Sequence, residues 1–168
     1  VFPTFDPARH VRPTRYDPAL PLYRAMDFGF SNPFVCLWLQ VDDAGNVRVL
    51  DEFVRAQATV WANADEVRRR DPGPVQVTYC DPAGGQRNPV SGSSVTAELR
   101  QLGIRTVSRP SRIAEGLELI RRHLDGGVAN GAGRVVSGAS AIPIQPWAVE
   151  PQPALRIDPR CERLIAAL

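Results

Sequence analysis

The chain has 168 residues, 43% apolar and 23% charged, the balance of one globular domain able to bury a core without disulfide staples. Its 20 basic side chains are all arginine and stand against 18 acidic ones, for a net charge of +2, too small to indicate a polyanionic partner by itself. No apolar run approaches the roughly 20 residues that span a bilayer, and the first residues lack the charged-then-apolar layout of a secretory signal.

Position 1 is Val rather than Met, so the chain is expected to start inside a longer reading frame. Residues 1–21 hold Pro3, Pro7, Pro13, Pro18 and Pro21, a spacing that forbids a regular helix and reads as an arm or linker ahead of the fold. Leu22 to Asp27 is a short strand candidate closed by Gly29 and Asn32-Pro33. Phe34 to Val41 is an almost unbroken apolar run, as in a strand buried on both faces. Asp42 to Asn46 is hairpin-turn chemistry, and Val47 to Val54 alternates, with Val47, Val49 and Phe53 on one side and Leu50 and Glu52 on the other.

The pattern then changes period. Thr59 caps a helix whose Val60, Ala64 and Val67 share a face and whose Arg68, Arg69 and Arg70 suit the negative end of the helix dipole; Asp71-Pro72-Gly73-Pro74 stops it. Val75 to Cys80 is a fourth strand ending in Asp81-Pro82. A helix over Ser94 to Leu102 ends at Gly103, and Ile104 to Val107 is a fifth strand. Ser111 caps a helix with Ile113, Leu117, Ile120 and Leu124 in one stripe, on whose last turn His123 is a dipole partner. Residues 126–153 are rich in glycine and proline and read as an excursion. Leu155 to Asp158 re-enters as an extended segment, and Cys161, Leu164, Ile165 and Leu168 have helical spacing.

The order βββαβαβα predicts an α/β fold. Its five-stranded mixed sheet has strand order 3-2-1-4-5, the first three strands antiparallel and helices flanking them. Ligands of such sheets bind where the order reverses, here between strands one and four, which end in Asp27 and Asp81. Two carboxylates held side by side repel unless a cation lies between them. Aspartate oxygens without nearby Cys or His suit Mg²⁺ or Mn²⁺. Two such ions about 4 Å apart would activate water and stabilise the leaving oxygen of a phosphodiester. The alternative is that both aspartates only cap turns. Cys36, Cys80 and Cys161 form no C-x-x-C pair, and with only His10 and His123 neither a zinc site nor a Ser/His/Asp triad is expected. Asp27-Phe28-Gly29 spells a kinase metal motif, but no Gly-rich loop or H-R-D segment accompanies it.

The segments Val1-Phe2-Pro3-Thr4-Phe5-Asp6 with His10-Val11, Met26-Asp27-Phe28-Gly29 with Asn32-Pro33, Asp51-Glu52, Cys80-Asp81-Pro82-Ala83-Gly84 and Leu155 to Cys161 together resemble the C-terminal nuclease domain of the large terminase subunit of tailed bacteriophages. The resemblance implies an RNase H-like fold over residues 22–168, C-terminally incomplete, with residues 1–21 as the interdomain arm. It implies cleavage of double-stranded concatemeric viral DNA during genome packaging in the bacterial host cytoplasm, by Asp27 and Asp81 holding two Mg²⁺ or Mn²⁺ ions. The partners it implies are double-stranded DNA, an N-terminal packaging ATPase domain of the same polypeptide, the portal and the small terminase subunit, with no membrane. The family's remaining acidic residue would lie beyond Leu168. Glu52 and Asp158 either support the site from outside the metal's immediate ligands or are structural. Arg87, Arg109 and Arg112 are candidate DNA contacts, and Gly84-Gly85 either lets the DNA backbone approach or forms a flexible turn. No phosphate-binding loop occurs, since the chain has no lysine. Rival readings are another RNase H-like nuclease, such as a junction resolvase, and a non-catalytic DNA-binding or portal-docking module.

Overall fold

The computed structural model describes residues 2–29, 32–86, 92–108, 112–126 and 153–168. Three antiparallel strands open the sheet: β1 (Leu22–Asp27), β2 (Phe34–Val41) and β3 (Val47–Arg55). Helix α2 (Val60–Arg70) follows, then β4 (Val75–Cys80), a 3₁₀ turn (Pro82–Gly85), α3 (Val95–Gln101), β5 (Thr106–Ser108), α4 (Ile113–Asp125), β6 (Leu155–Ile157) and α5 (Glu162–Ala167). A one-turn helix, α1 (Pro7–His10), precedes them all. The sheet order is β5-β4-β1-β2-β3-β6, with β4 parallel to β1 and β5 parallel to β4.

Five of these strands lie in the order read from the sequence, and β6 is a sixth. It pairs parallel to β3 through Val47–Leu155, Arg48–Arg156 and Val49–Ile157. Three residues are too few for a periodic signal, but their backbone satisfies the otherwise open edge of β3.

Two cores occupy opposite faces. On the front, Leu22, Met26, Cys36, Trp38, Leu50 and Phe53 pack with Ala64 and Val67 of α2 and Leu99 of α3. On the back, Val49, Ile157 and Cys161 pack with Phe5, Leu164 and Ile165. The simple alternation expected for β3 fails at Leu50. Trp38 pairs with Asp51 and Leu39 with Val49, so Leu50 is the extra residue of a β-bulge and turns to the front beside Phe53. One strand thereby feeds both cores, and Glu52 faces the back.

Thr59 caps α2 as expected, its Oγ1 accepting from Ala62 N–H at 3.2 Å; α3 begins at Val95, one residue later than expected, with Ser94 as its N-cap, whose Oγ accepts from Ala97 N–H at 3.2 Å. Residue Arg112, without a side-chain bond, occupies the N-cap of α4; Ser111, expected there, lies outside the described residues. The expected stripe of α4 is buried at Leu124, whereas Ile113 is 81% exposed. His123 Nδ1 lies 2.8 Å from Leu119 O, a carbonyl of its own helix.

The proline-rich arm is packed onto the sheet. Pro7 sits at the start of α1, where its missing N–H costs nothing, and Asp6 caps that turn through Ala8 N–H at 2.9 Å, so proline starts helix here rather than forbidding it. Arg12 N–H donates to Ile157 O at 3.0 Å, extending the sheet past β6. His10 is fully buried. Its Nε2 lies 2.9 Å from Leu124 O, and its Nδ1 lies 3.0 Å from Asp6 N and 2.9 Å from Asp6 O, which ties the arm to α4.

Candidate functional site

The parallel pairing of β1 with β4 runs Arg24–Thr78, Ala25–Tyr79, Met26–Cys80. Asp27 and Asp81 each follow directly on the last pair of this ladder, Met26 with Cys80. Alternation puts Arg24, Met26, Thr78 and Cys80 toward the front core, all of them buried. Asp27 falls on the other face, and both Asp27 and Asp81 are exposed. Asp27 is the last residue of β1, and Asp81 is the first residue after β4. Asp81 Oδ1 accepts Ala83 N–H at 2.6 Å, capping the 3₁₀ turn, so the capping alternative holds for this oxygen while its second oxygen is uncommitted to that bond.

The turn after Asp81 packs against the residue after Asp27. A Cβ on Gly84 would stand 2.3 Å from Phe28 Cε2, whereas one on Gly85 would meet nothing. Gly84 therefore serves close packing of the two strand ends, a role the flexible-turn reading missed, and the Gly-Gly pair in sequence was its only signal. Phe28 and Phe34 stack at 6.2 Å. With Thr59, Asn63, Gln86 and Leu99 they line a recess of about 600 Å³ in front of the strand ends.

Glu52 does not join the aspartates. On the back face, its Oε1 accepts Arg163 N–H at 2.7 Å and its Oε2 accepts Leu164 N–H at 2.9 Å, clasping the first turn of α5 through its unpaired amides. Asp158 is also structural. It is 5% exposed, and it accepts Thr14 N–H at 2.8 Å and Arg160 Nε–H at 2.8 Å. Burial pushes its carboxyl up, but the N–H donors of Thr14 and Arg160 outweigh burial and hold it below the usual range. Arg112 is exposed, with Glu115 3.9 Å away. Arg87 and Arg109 lie outside the described residues.

Burial pushes the thiols of Cys36 and Cys80 up, and that of Cys161 up to about 12, so none of the three is a thiolate nucleophile. Among the described residues no group of three or more His, Cys, Asp or Glu gathers in a way that could hold a metal. The donor set at the strand ends is thus two exposed carboxylates. Two carboxylates are oxygen donors of the kind a hard divalent ion takes, as part of a larger coordination shell.

No known family model matches the sequence. No curated protein matches it either. The fold, however, has clear relatives among solved structures. The large terminase of the thermophilic bacteriophage D6E in complex with ADP superposes with a TM-score of 0.69 at 17% identity, over 98% of this chain and 35% of the terminase. The P22 large terminase nuclease domain superposes with a TM-score of 0.68 at 12% identity, over 98% of this chain and 75% of that domain. This chain therefore spans about a third of the length of the D6E large terminase, and it has the fold of a large-terminase nuclease domain.

Proposed function

We propose that the chain is a metal-dependent endonuclease domain that cuts double-stranded DNA, in the setting of viral genome packaging. The observation that supports this reading is the parallel pairing of β1 with β4 up to Met26 and Cys80, each followed directly by an exposed aspartate, Asp27 and Asp81, where the strand order reverses. Like charges so placed favour a doubly charged cation between them. Mg²⁺ or Mn²⁺ bound there would supply polarisation of a phosphodiester and activation of water. The chain's own contribution is to hold the two carboxylates in fixed register, through the β1–β4 ladder beneath them and the Gly84–Phe28 contact beside them. In this reading two carboxylates are part of the metal's coordination shell, and a further acidic ligand completes it. An ATPase domain of the same polypeptide, the portal and the small terminase subunit are the partners that the likeness to large terminases suggests.

The test is plasmid nicking in Mg²⁺ or Mn²⁺ by a C-terminally extended form of the chain, alongside its Asp27→Asn and Asp81→Asn variants. The reading expects nicking that each substitution reduces by 10²-fold or more, roughly the loss of one metal ligand's transition-state contribution. If the extended form and both variants bind DNA equally and none cuts, the domain is a binding or docking module instead. Selective cutting of four-way junctions would point to a resolvase.

A further inference from the structure

On the front face, at the edge of the sheet far from the aspartates, two arginines stand side by side. Arg48 of β3 and Arg156 of β6 are direct partners in the parallel ladder, and they share a face with Gln40, the partner of Arg48 on β2. Adjacent positions of parallel strands project their side chains the same way from backbones about 4.8 Å apart. Each guanidinium has its Nε buried with no hydrogen-bond partner. Neither has a carboxylate within ion-pair distance among the described residues, although nine such pairs occur elsewhere. The nearby Asp42 feels the charge of Arg48 only after the bonds that Asn46 and Ala44 make to its carboxylate. Two like charges with orphaned donors are a cost at a cross-strand pair, which Asp42 relieves only in part.

A single oxyanion relieves both. Guanidinium forks match phosphate oxygens. A phosphate monoester or orthophosphate carries about −1.5 to −2 at neutral pH, which balances two guanidiniums where a carboxylate or phosphodiester would balance one. We propose that Arg48 and Arg156 form a phosphate-binding site, taking a dianionic phosphate either free or at the 5′ end of a DNA strand. The site is independent of the nuclease reading. Its two residues lie two and three strands, about 10 and 14 Å, from β1 and on the opposite face from Asp27, so phosphate there is not the phosphodiester being cut.

The test is a titration of the chain with inorganic phosphate in chloride buffer, read by the arginine Nε–Hε resonances in NMR. The proposal expects the Arg48 and Arg156 signals to move together and saturate, while those of the α2 arginines stay. Arg48→Gln with Arg156→Gln should weaken phosphate binding roughly tenfold or more with the amide spectrum of the core unchanged. A short duplex added with and without 5′-phosphates separates the sources: movement with the phosphorylated duplex alone assigns a DNA end, and movement with orthophosphate alone assigns the free ion. Signals that ignore both, or that move only with an acidic peptide such as oligoglutamate, overturn the proposal. Because Asp27→Asn does not touch this face, the same result is expected in a chain unable to cut DNA.

Discussion

Thr14 in the proline-rich arm donates its backbone N–H to the buried carboxylate of Asp158, 2.8 Å away and 144 residues on in the chain. The same carboxylate takes Arg160 N–H at 3.1 Å. The arm is thus a strap fastened to the far edge of the sheet. Asp158→Ala should cost about 2–4 kcal/mol, because it leaves these donors without their charged acceptor, and chemical denaturation measures it.

The same carboxylate sets a pH dependence. Its folded pKa is depressed, so its contribution is fully present above the unfolded carboxylate range near pH 4 and is lost as pH falls through the lower folded value. In an acid titration followed by circular dichroism, the Asp158→Asn chain should lose less stability than the parent below about pH 4. An identical slope would remove Asp158 from the account.

Buried charge sits beneath the front face. Arg24 Nη1 lies 3.3 Å from Asp71, and the Arg24 side chain is 7% exposed. The indole N–H of Trp38 donates to Asp71 at 2.8 Å. Burial nevertheless raises the Asp71 carboxyl against the pull of Trp38 and Arg24, so desolvation outweighs the ion pair here. Asp71→Ala, which strands Arg24, should cost about 3–5 kcal/mol. Replacing both, as Arg24→Met with Asp71→Leu, should cost far less than the single change. A double-mutant cycle by urea denaturation decides between them.

The clasp of Glu52 on α5 predicts a local effect. Glu52→Ala frees two backbone donors and should cost about 1–2 kcal/mol. Hydrogen exchange should accelerate at the amides of Arg163 and Leu164 while those of β1 and β4 stay protected.

Much of this architecture was legible in the residues. The Thr59 cap, the Asp42 to Asn46 turn and the strand periods led to the order of five strands, and that order led to Asp27 and Asp81. What was not legible depends on long-range partners. The β-bulge at Leu50 arises from pairing with Trp38 and Leu39, which no local period encodes, so Glu52 could not be assigned to its face. Strand β6 exists because the edge of β3 needs a partner. Asp158 and Glu52 look like candidate ligands in isolation and become structural only when Thr14 and α5 arrive from elsewhere in the chain. Gly84 gained its meaning from Phe28, 56 positions earlier. Gly84→Ala should therefore push Phe28 aside, cost about 1–3 kcal/mol and impair any metal affinity of the neighbouring aspartates, as isothermal titration with Mn²⁺ would register.

The pairing of Asp27 with Asp81 is tested most directly by a crystal of the chain soaked in Mn²⁺, with anomalous diffraction locating the ion. The account predicts a peak within roughly 2.0–2.3 Å of an oxygen from each of the two carboxylates, lost in crystals of Asp27→Asn. A peak elsewhere, or carboxylates turned to opposite faces with no ion between them, would contradict it.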